Sequence, residues 1–427
     1  MVKAQTLAAD KIVEEYDENE ATGVETEEQD SEGDGIDRPY DPAAIRVDPK
    51  TFSLRQIMDM IDEGDLDLAP DFQRKKVWKS REKSRLIESI LLRIPLPAFY
   101  FSADDDGKLR VVDGLQRLST VHDFVRGGDD KKGGFPLSNL EYLGEGVADH
   151  RFGKLDSNWT RRIHQTQIFV NVIDPQTPGQ VKFDIFRRLN TGGTPLNAQE
   201  IRHCMSSSKS REFLKGCAGG YRYLVEEAEP QPFEDYLASG GVLPAAVYRK
   251  VNAAAESFGG ATNWAMWNHV RMADKEVILR FCAFRMIGTD LEEYGSNTNM
   301  DGFLTQATVT LDTKLSDRKL STLAGDLDRA MRNATALFEL HAFRKWPLGD
   351  DRSNPINRAL FESWAVALAD YEWKALEPHK SKIIKATRTA MSKDSDYIGA
   401  ISSGTGDHSR VKKRFEMART ILAEATG

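Results

Sequence analysis

Apolar residues in the stretch 108–126 (KLRVVDGLQRLSTVHDFVR) change their spacing halfway along. The first part, 109–112, is mostly apolar and predicts a short buried strand. In the second part Leu118, Val121 and Phe124 follow one another at helical spacing, which predicts a helix with one face against a sheet. The polar residues between the two parts therefore lie where a strand ends and a helix begins.

Apolar spacing also predicts further helices and strands in the first 210 residues. The predicted helices are 53–60, 80–93, 179–189 and one that begins at the capping-box pair Asn197 and Glu200. The predicted strands are 98–102 and 165–173. The turn 104–107 (DDDG) joins the strand 98–102 to 109–112 and predicts a hairpin. Residues 127–165, rich in Gly and Asp, predict an insertion with little regular structure.

Beyond residue 210 the apolar pattern is almost entirely helical. Helices are predicted near 243–257, 273–287, 316–341, 357–370, 379–392 and 408–424. The predicted fold class is therefore α+β, with a small sheet in an N-terminal domain and a mainly α-helical C-terminal domain. We expect an acidic tail at 1–45, the sheet domain at 46–210 and the helical domain at 211–427.

Charge is unevenly distributed along the 427 residues. Residues 1–45 hold fourteen Asp and Glu against three Lys and Arg, with few apolar residues, which predicts disorder. The remaining chain has 55 basic and 52 acidic residues, so it is mildly basic and compatible with nucleic-acid binding. A solubilising extension is the simpler role for the tail, and occlusion of a basic site is the alternative.

The composition favours a cytoplasmic protein. No apolar run approaches the roughly 20 residues of a membrane span, and no signal-peptide pattern follows Met1. The three cysteines and eight histidines lack the spacing of a metal site, and reduced thiols are the expected state.

The segment 113–117 (DGLQR), here called the DGLQR turn, is the first candidate site. Unpaired N–H groups at a helix N-terminus favour an anion such as phosphate. Gly114 permits a tight turn, Arg117 could fork onto phosphate oxygens, and Gln116 lies between them. Asp113 could hold a metal ion that bridges phosphates, or position a water. The alternative is a plain strand–helix turn with a solvated Gln116 and Arg117.

Two further segments place arginines and amides beside turn residues. They contain Gln73 and Arg74, and Arg188 followed by Asn190, Thr191, Gly192 and Gly193. Arginines from three segments, with Gly-rich backbone and one carboxylate, suit a nucleoside triphosphate or a nucleic-acid backbone if they converge. Taken singly, each segment is better explained by surface arginines, with Asp113 only capping its helix.

A basic run between residues 74 and 85 is the third candidate. Seven of its twelve residues are Lys or Arg, and Trp78 lies among them. Lys75, Lys76 and Lys79 could follow a phosphate backbone beside a stacking aromatic ring. A solvated helix face, with Trp78 as a core anchor, is the alternative.

Three sequence blocks together resemble a known family. They are DFQRKKVWKSREKSRLIESILLRIPLPAFYFS at 71–102, DGLQRLST at 113–120 and FRRLNTGGTPLNAQEIR at 186–202. In this order they resemble the GmrS/SspE-type N-terminal domain, a family marked by a DGQQR motif within the ParB/sulfiredoxin-like superfamily. The resemblance implies a domain that binds and often hydrolyses NTP, in prokaryotic defence systems that act on modified phage DNA.

The resemblance carries over onto individual positions of this chain. The matching residues are Gln73, Arg74, Asp113, Gly114, Gln116, Arg117, Arg188, Asn190, Thr191, Gly192 and Gly193. Leu115 stands where the family has its first glutamine, which puts hydrolysis more in question than binding. A His-Asn-His nuclease element is not recognised; His341 and His379 lack its context. A separate nuclease subunit is therefore the expected partner if DNA is cut.

The functional hypothesis is a nucleotide-dependent DNA-sensing or regulatory subunit of an anti-phage, modification-dependent restriction-like system. NTP and Mg²⁺ would bind at the DGLQR turn, with Asp113, Gln116 and Arg117 as catalytic residues. A homo-oligomer is compatible with this hypothesis. The alternatives are a non-hydrolysing DNA-binding adaptor that recruits a nuclease, and a ParB-like nickase.

Overall fold

The computed structural model divides the chain into two compact units. Residues described by the structure are 12–17, 20–27, 45–68, 78–104, 107–127, 134–144, 146–189, 196–219, 233–262, 270–288, 291–295 and 299–427. The sheet unit is Pro39–Met205, and the helical unit joins Met1–Arg38 to Ser206–Gly427.

The described residues form seven strands in two sheets. They are β1 (Glu14–Asp17), β2 (Glu20–Glu25), β3 (Val47–Ser53), β4 (Leu66–Asp67), β5 (Phe99–Ala103), β6 (Leu109–Asp113) and β7 (Gln167–Ile173). Strands β1 and β2 make an antiparallel pair, and the other five have the order β3-β7-β5-β6-β4. In the larger sheet β7 pairs antiparallel with β3 and parallel with β5, whereas β5 and β6 form the predicted antiparallel hairpin.

Helices make up most of the rest of the described chain. In the sheet unit they are α1 (Leu54–Glu63), α2 (Ser80–Leu91), α3 (Leu115–Arg126), α4 (Ser157–Gln165), α5 (Gly179–Leu189) and α6 (Ala198–Met205). In the helical unit they are α7 (Ser208–Cys217), α8 (Phe233–Ala238), α9 (Ala245–Thr262), α10 (Ala273–Ile287), α11 (Met300–Thr313), α12 (Asp317–Phe338), α13 (Arg358–Leu368), α14 (Trp373–Leu376), α15 (Lys380–Lys393), α16 (Ser395–Ala400) and α17 (His408–Thr426). The predicted α+β class, a small sheet followed by a mainly helical region, is confirmed. Among the described helices none is long and apolar enough to span a membrane.

The large sheet has an apolar core on each face. One core joins strand residues such as Phe101 and Val111 to the apolar stripes of α1, α2 and α3, which include Phe124. The second core gathers Ile173 and residues of α5 and α6, with Val112 of β6 packed against it. Helices therefore cover both sides of β6, and its C-terminal end lies between two packed layers.

Two helix starts in this unit follow the predicted capping chemistry. Ser53 is the N-cap of α1, and its side chain accepts a hydrogen bond from the Gln56 N–H. Before α6, the Glu200 N–H donates to Asn197 Oδ1 and the Asn197 N–H donates to Glu200 Oε2, each at 2.8 Å. Both of these predicted helix starts are confirmed, including the reciprocal capping box.

The predicted irregular insertion at 127–165 contains α4 and is anchored by one buried carboxylate. Glu88 of α2 is 3% exposed and accepts hydrogen bonds from the N–H groups of Glu141, Tyr142 and Leu143 at 2.7–2.9 Å. Burial disfavours the charged form of Glu88, but these donors outweigh it and the pKa is lowered. The side chain therefore fixes a loop that has few apolar residues of its own.

Glu88→Gln is expected to lower the free energy of unfolding by roughly 1–3 kcal/mol at pH 7, because an amide keeps only part of the charge-assisted bonding. The pKa of Glu88 is lowered in the folded state. The stabilisation that its carboxylate provides is therefore present above the ordinary glutamate pKa of about 4.3, and it is lost as the pH falls below that value. Urea unfolding at pH 7 and pH 3 measures this. Glu141→Gln, at a half-exposed carboxylate, is the control, and an equal loss in both variants at pH 7 contradicts the anchoring role.

The N-terminal segment differs from the expected disordered tail where the structure describes it. Residues 12–17 and 20–27 contain the β1–β2 hairpin, and Thr22 and Val24 are fully buried. Residues 344 and 356 form an isolated β-bridge, and the hairpin lies on the other side of residue 356. The Glu25 N–H donates to Ile356 O, and the Ile356 N–H donates to Gly23 O. The acidic side chains of this segment pair with cations that lie far along the chain in the same unit. Composition does not reveal such pairing, so it predicts disorder where the structure has a hairpin. The other residues of 1–44 lie outside the described residues.

The helical unit is built on a single large apolar core. Helices α9, α10, α12 and α13 supply most of it, and α17 contributes residues such as Phe415 and Leu422. The predicted helix 273–287 coincides with α10, and the other predicted helices in this region agree with α9, α12, α13, α15 and α17 to within a few residues. Helix α11 follows an Asn299 cap and was not predicted.

Candidate functional site

The DGLQR turn begins with a glycine that the surrounding structure requires. Gly114 is the N-cap of α3 with φ 100° and ψ 8°, a left-handed conformation that L residues rarely adopt. A Cβ atom built on Gly114 would lie 2.2 Å from Cδ1 of Phe99. The backbone can therefore turn from β6 into α3 only because this position has no side chain.

A β-bulge sets the position of Asp113 at the end of β6. Tyr100 of β5 pairs with Asp113, and Phe101 pairs with Val111, so Val112 is an extra residue on β6. Bulges bend a strand and re-aim its side chains, and they are frequent beside functional sites. The carboxylate of Asp113 is 40% exposed and remains accessible at the edge of the turn.

Arg117 lies in the first turn of α3 and faces back toward the protein. Its Nη1 donates to Pro97 O at 2.5 Å, and its Nη2 donates to Ala98 O at 3.2 Å and to Asp113 Oδ2 at 2.9 Å. Its Cζ lies 4.1 Å from the centroid of the Phe99 ring, a cation–π distance. The guanidinium thus joins the entry of β5, the end of β6 and the start of α3.

The electrostatics of this arrangement follow from burial. The Arg117 side chain is 14% exposed. Desolvation lowers its pKa, and the adjacent Asp113 carboxylate opposes that shift. Arginine remains protonated at neutral pH even so, because its ordinary pKa exceeds about 12. The pair is therefore a charged, half-enclosed unit in which Arg117 orients Asp113.

The start of α3 offers backbone donors without a side-chain cap. Gly114 has no side-chain acceptor for the N–H groups of the first turn, so these donors and the helix dipole favour an anion. Asp113 Oδ2 accepts from Arg117, and no described residue donates to Oδ1. Mg²⁺ characteristically uses one or two carboxylates together with phosphate oxygens, so the donor set at this turn fits that ion when a phosphate is bound. Among the described residues no cluster of three or more His, Cys, Asp or Glu could hold a metal on its own.

Two residues beside Asp113 were not singled out from the sequence. Tyr100 pairs with Asp113 on one side and with Asn171 of β7 on the other, so the three occupy one row across neighbouring strands. Each is partly exposed. Phe99 was likewise missed, because its contact with Gly114 and Arg117 joins residues far apart in the sequence. The only available signal was the run of three aromatic residues in the predicted strand 98–102.

Helix α5 also contacts the strand that carries Asp113. It follows β7 after a short loop and, together with α6, contacts β6. Arg188, one residue before the end of α5, is exposed.

The structure brings together Asp113, Gly114 and Arg117 from the predicted set. Gln73, Arg74, Asn190, Thr191, Gly192 and Gly193 lie outside the described residues. Convergence of arginines at 74, 117 and 188 on one anion therefore stays a prediction.

The basic run is described only from Trp78 onward, and Lys75 and Lys76 lie outside that part. Lys79 is exposed and precedes α2 as its N-cap residue. Trp78 packs against the core of the sheet unit. Lys83 pairs with Asp123 at 3.2 Å and Arg85 with Glu141 at 3.6 Å, so part of the run is engaged within the unit.

Comparison with known families identifies one domain of this chain. Residues 54–206 match the family model described as the GmrSD restriction endonuclease, N-terminal domain. The match covers α1 to α6, the DGLQR turn and strands β4 to β7. No curated protein matches the chain. Placement in the ParB/sulfiredoxin-like superfamily stays a prediction. The sheet unit of this chain therefore carries a domain similar to the N-terminal domain of the GmrSD restriction endonucleases, which relates the protein to restriction systems.

Proposed function

We propose that this protein is a nucleotide-dependent DNA-sensing or regulatory subunit of an anti-phage restriction-like system. Its GmrSD-type domain supports the restriction context, which is also consistent with an interaction with DNA. In this proposal the DGLQR turn binds a nucleoside triphosphate with Mg²⁺, and the bound state controls how the protein engages DNA or a separate nuclease subunit.

The observation that carries the proposal is the geometry at the start of α3. A glycine N-cap, an accessible carboxylate and a helix dipole meet at the edge of a sheet that is covered on both faces. Phosphates bind at such uncapped helix starts because backbone N–H groups point at them. In this proposal Arg188, exposed on α5, would supply a second cation for the phosphates.

The contacts of Arg117 suggest a positioning role. Three protein oxygens occupy its guanidinium, so it holds Asp113 and the 97–98 segment in place. Asp113 would hold Mg²⁺, whose chemistry is to neutralise charge on the phosphate oxygens. Gln116 would orient a phosphate or an attacking water from the first turn of α3.

One observation favours the second candidate function, a DNA-binding adaptor that does not hydrolyse nucleotide. Leu115, which replaces a family glutamine, is partly buried and packs against the core of the sheet unit. The side chain thus contributes to packing, and the turn has one polar group fewer for activating water. Phosphate release measured with and without plain or modified DNA separates the two functions, because only the NTPase releases phosphate.

Asp113→Asn is expected to weaken Mg²⁺–NTP binding at least about tenfold and to leave metal-free binding nearly unchanged, because only the metal contact requires the carboxylate. Isothermal titration calorimetry with GTP, ATP and CTP, with Mg²⁺ or with EDTA, measures this. Asp156→Asn, at an exposed residue that makes no cap hydrogen bond, is the matched control.

Arg117→Lys keeps the charge but cannot join three oxygens, so it tests positioning against direct phosphate binding. If Arg117 has a positioning role, Arg117→Lys should weaken nucleotide binding mainly in the presence of Mg²⁺, as Asp113→Asn does. If wild type and both variants bind equally, or none binds any nucleotide, the proposed function is contradicted.

A further inference from the structure

The acidic N-terminal hairpin fills a strongly basic cleft in the helical unit. Its buried strand β2 lies beside residue 356, which also forms a β-bridge with residue 344. Two backbone hydrogen bonds of 2.8 and 2.9 Å join β2 to residue 356. Apart from Val24, the contacts that hold it are mostly ionic. Glu15, Glu25 and Glu27 each pair with a different buried cation of the helical unit.

Glu25 and Glu27 each occupy a built anion pocket. Lys345 Nζ and Asn357 Nδ2 donate to the two oxygens of Glu25 at 2.7 and 2.9 Å. The Arg280 guanidinium binds Glu27 with both terminal nitrogens, at 2.7 and 3.1 Å. A carboxylate and a phosphate present the same pair of oxygens to such a fork, so each pocket accepts either group.

The neighbouring side chains complete these pockets. Thr405 Oγ1 donates to Glu27 Oε1 at 2.8 Å, and Ser402 Oγ accepts from Lys345 Nζ at 2.8 Å. Arg358 donates to Glu15 Oε2 at 2.8 Å and to the backbone oxygen of Glu25 at 3.1 Å. Burial raises the pKa of Glu27, but Arg280 and Arg358 outweigh it and the net shift is downward. The cleft thus favours a full negative charge.

Without the hairpin the cleft is unbalanced in charge. The helical unit contributes four buried cations and two carboxylates, namely Arg280, Lys345, Arg358, Arg414, Glu276 and Glu362. Glu15, Glu25 and Glu27 supply the negative charges that offset this positive excess.

A hairpin with only a structural role would be stabilised more by apolar contacts than by ion pairs, because removing the charges from water offsets much of their attraction. We propose that this cleft is a binding site for the phosphate backbone of a single nucleic-acid strand, and that the acidic hairpin is its built-in competitor. A single strand is the fitting ligand because Glu25 and Glu27, which fill two of the pockets, are alternate residues of one chain segment. The proposal does not depend on nucleotide binding at the DGLQR turn.

The test uses the full chain and a fluorescent 20-nucleotide oligo(dT). The double variant Glu25→Gln/Glu27→Gln weakens the hairpin and is expected to bind the oligonucleotide about tenfold more tightly than wild type in fluorescence anisotropy, with affinity that falls steeply with salt. Glu339→Gln/Glu372→Gln removes the same charge from exposed positions and should change affinity little. Adding Lys345→Gln to the hairpin variant should reverse most of the gain.

A second readout needs only wild-type protein. A strand that displaces the hairpin exposes Glu25 and Glu27, so oligo(dT) should accelerate cleavage after them by a glutamate-specific protease, as seen by mass spectrometry. A duplex of matched length is expected to have a much weaker effect. The proposal is overturned if oligo(dT) leaves this cleavage unchanged, if the hairpin variant binds no tighter than the control variant, or if duplex releases the hairpin and a single strand does not. The protease result decides if the hairpin variant does not fold.

Discussion

Gly114→Ala is expected to destabilise the sheet unit by roughly 2–5 kcal/mol, the sum of a left-handed backbone penalty and an overpacking penalty. The added methyl group would meet Phe99 at 2.2 Å, and the Phe99 ring cannot retreat easily because it is fully packed in the core. Urea unfolding followed by circular dichroism measures the loss.

Two other glycines separate the contributions. Gly64 also has a positive φ, of 78°, but has open space around its Cβ position, so Gly64→Ala should cost only about 1 kcal/mol. Gly153 has open space and no positive φ, so Gly153→Ala should be close to neutral. Equal losses at 114 and 64 would show that the contact with Phe99 is unimportant.

Arg414→Met is expected to lower the free energy of unfolding of the helical unit by about 3–5 kcal/mol at pH 7. Arg414 and Glu362 are both fully buried, and Arg414 Nε donates to Glu362 Oε1 at 2.9 Å. Glu362 also accepts from Arg280 at 3.3 Å, so its carboxylate links α10, α13 and α17. Removing Arg414 leaves the buried Glu362 carboxylate with one of its two arginine partners, Arg280.

The pH dependence of this variant has a definite sign. Burial raises the pKa of Glu362 while Arg414 and Arg280 lower it, and the net shift is upward. Losing Arg414 raises the pKa further, so the folded variant binds a proton more readily than the unfolded chain does. The difference in the free energy of unfolding between Arg414→Met and wild type should therefore become smaller as the pH falls from 7 to 5. Lys412→Met, in an exposed pair on the same helix, should cost under about 1 kcal/mol at either pH, and a similar loss from both variants would contradict this account.

Local patterns in the sequence predicted the regular elements well. The helix α10, the Ser53 cap and the Asn197–Glu200 capping box depend on residues within a few positions of one another, and each was confirmed. The β5–β6 hairpin was predicted for the same reason, from its turn. Edge strand β3 was not predicted, because most of its residues are exposed and show no strand-like alternation.

The features that decide the chemistry depend on distant residues. The direction of the Arg117 side chain follows from Pro97, Ala98 and Phe99, and no local spacing reveals those contacts. The folding of the acidic hairpin depends on cations more than 250 positions away in the chain. Composition alone reads such a segment as disordered, since its stabilising charges belong to another part of the sequence.

The central claim, that the first turn of α3 holds the phosphates of a nucleotide, is tested most directly by hydrogen exchange on wild-type protein with saturating Mg²⁺–NTP. The account predicts slower exchange of the amides at 115–117, with the exposed amides at the start of α4 unchanged. Nucleotide that binds without slowing exchange in the first turn of α3 would contradict it.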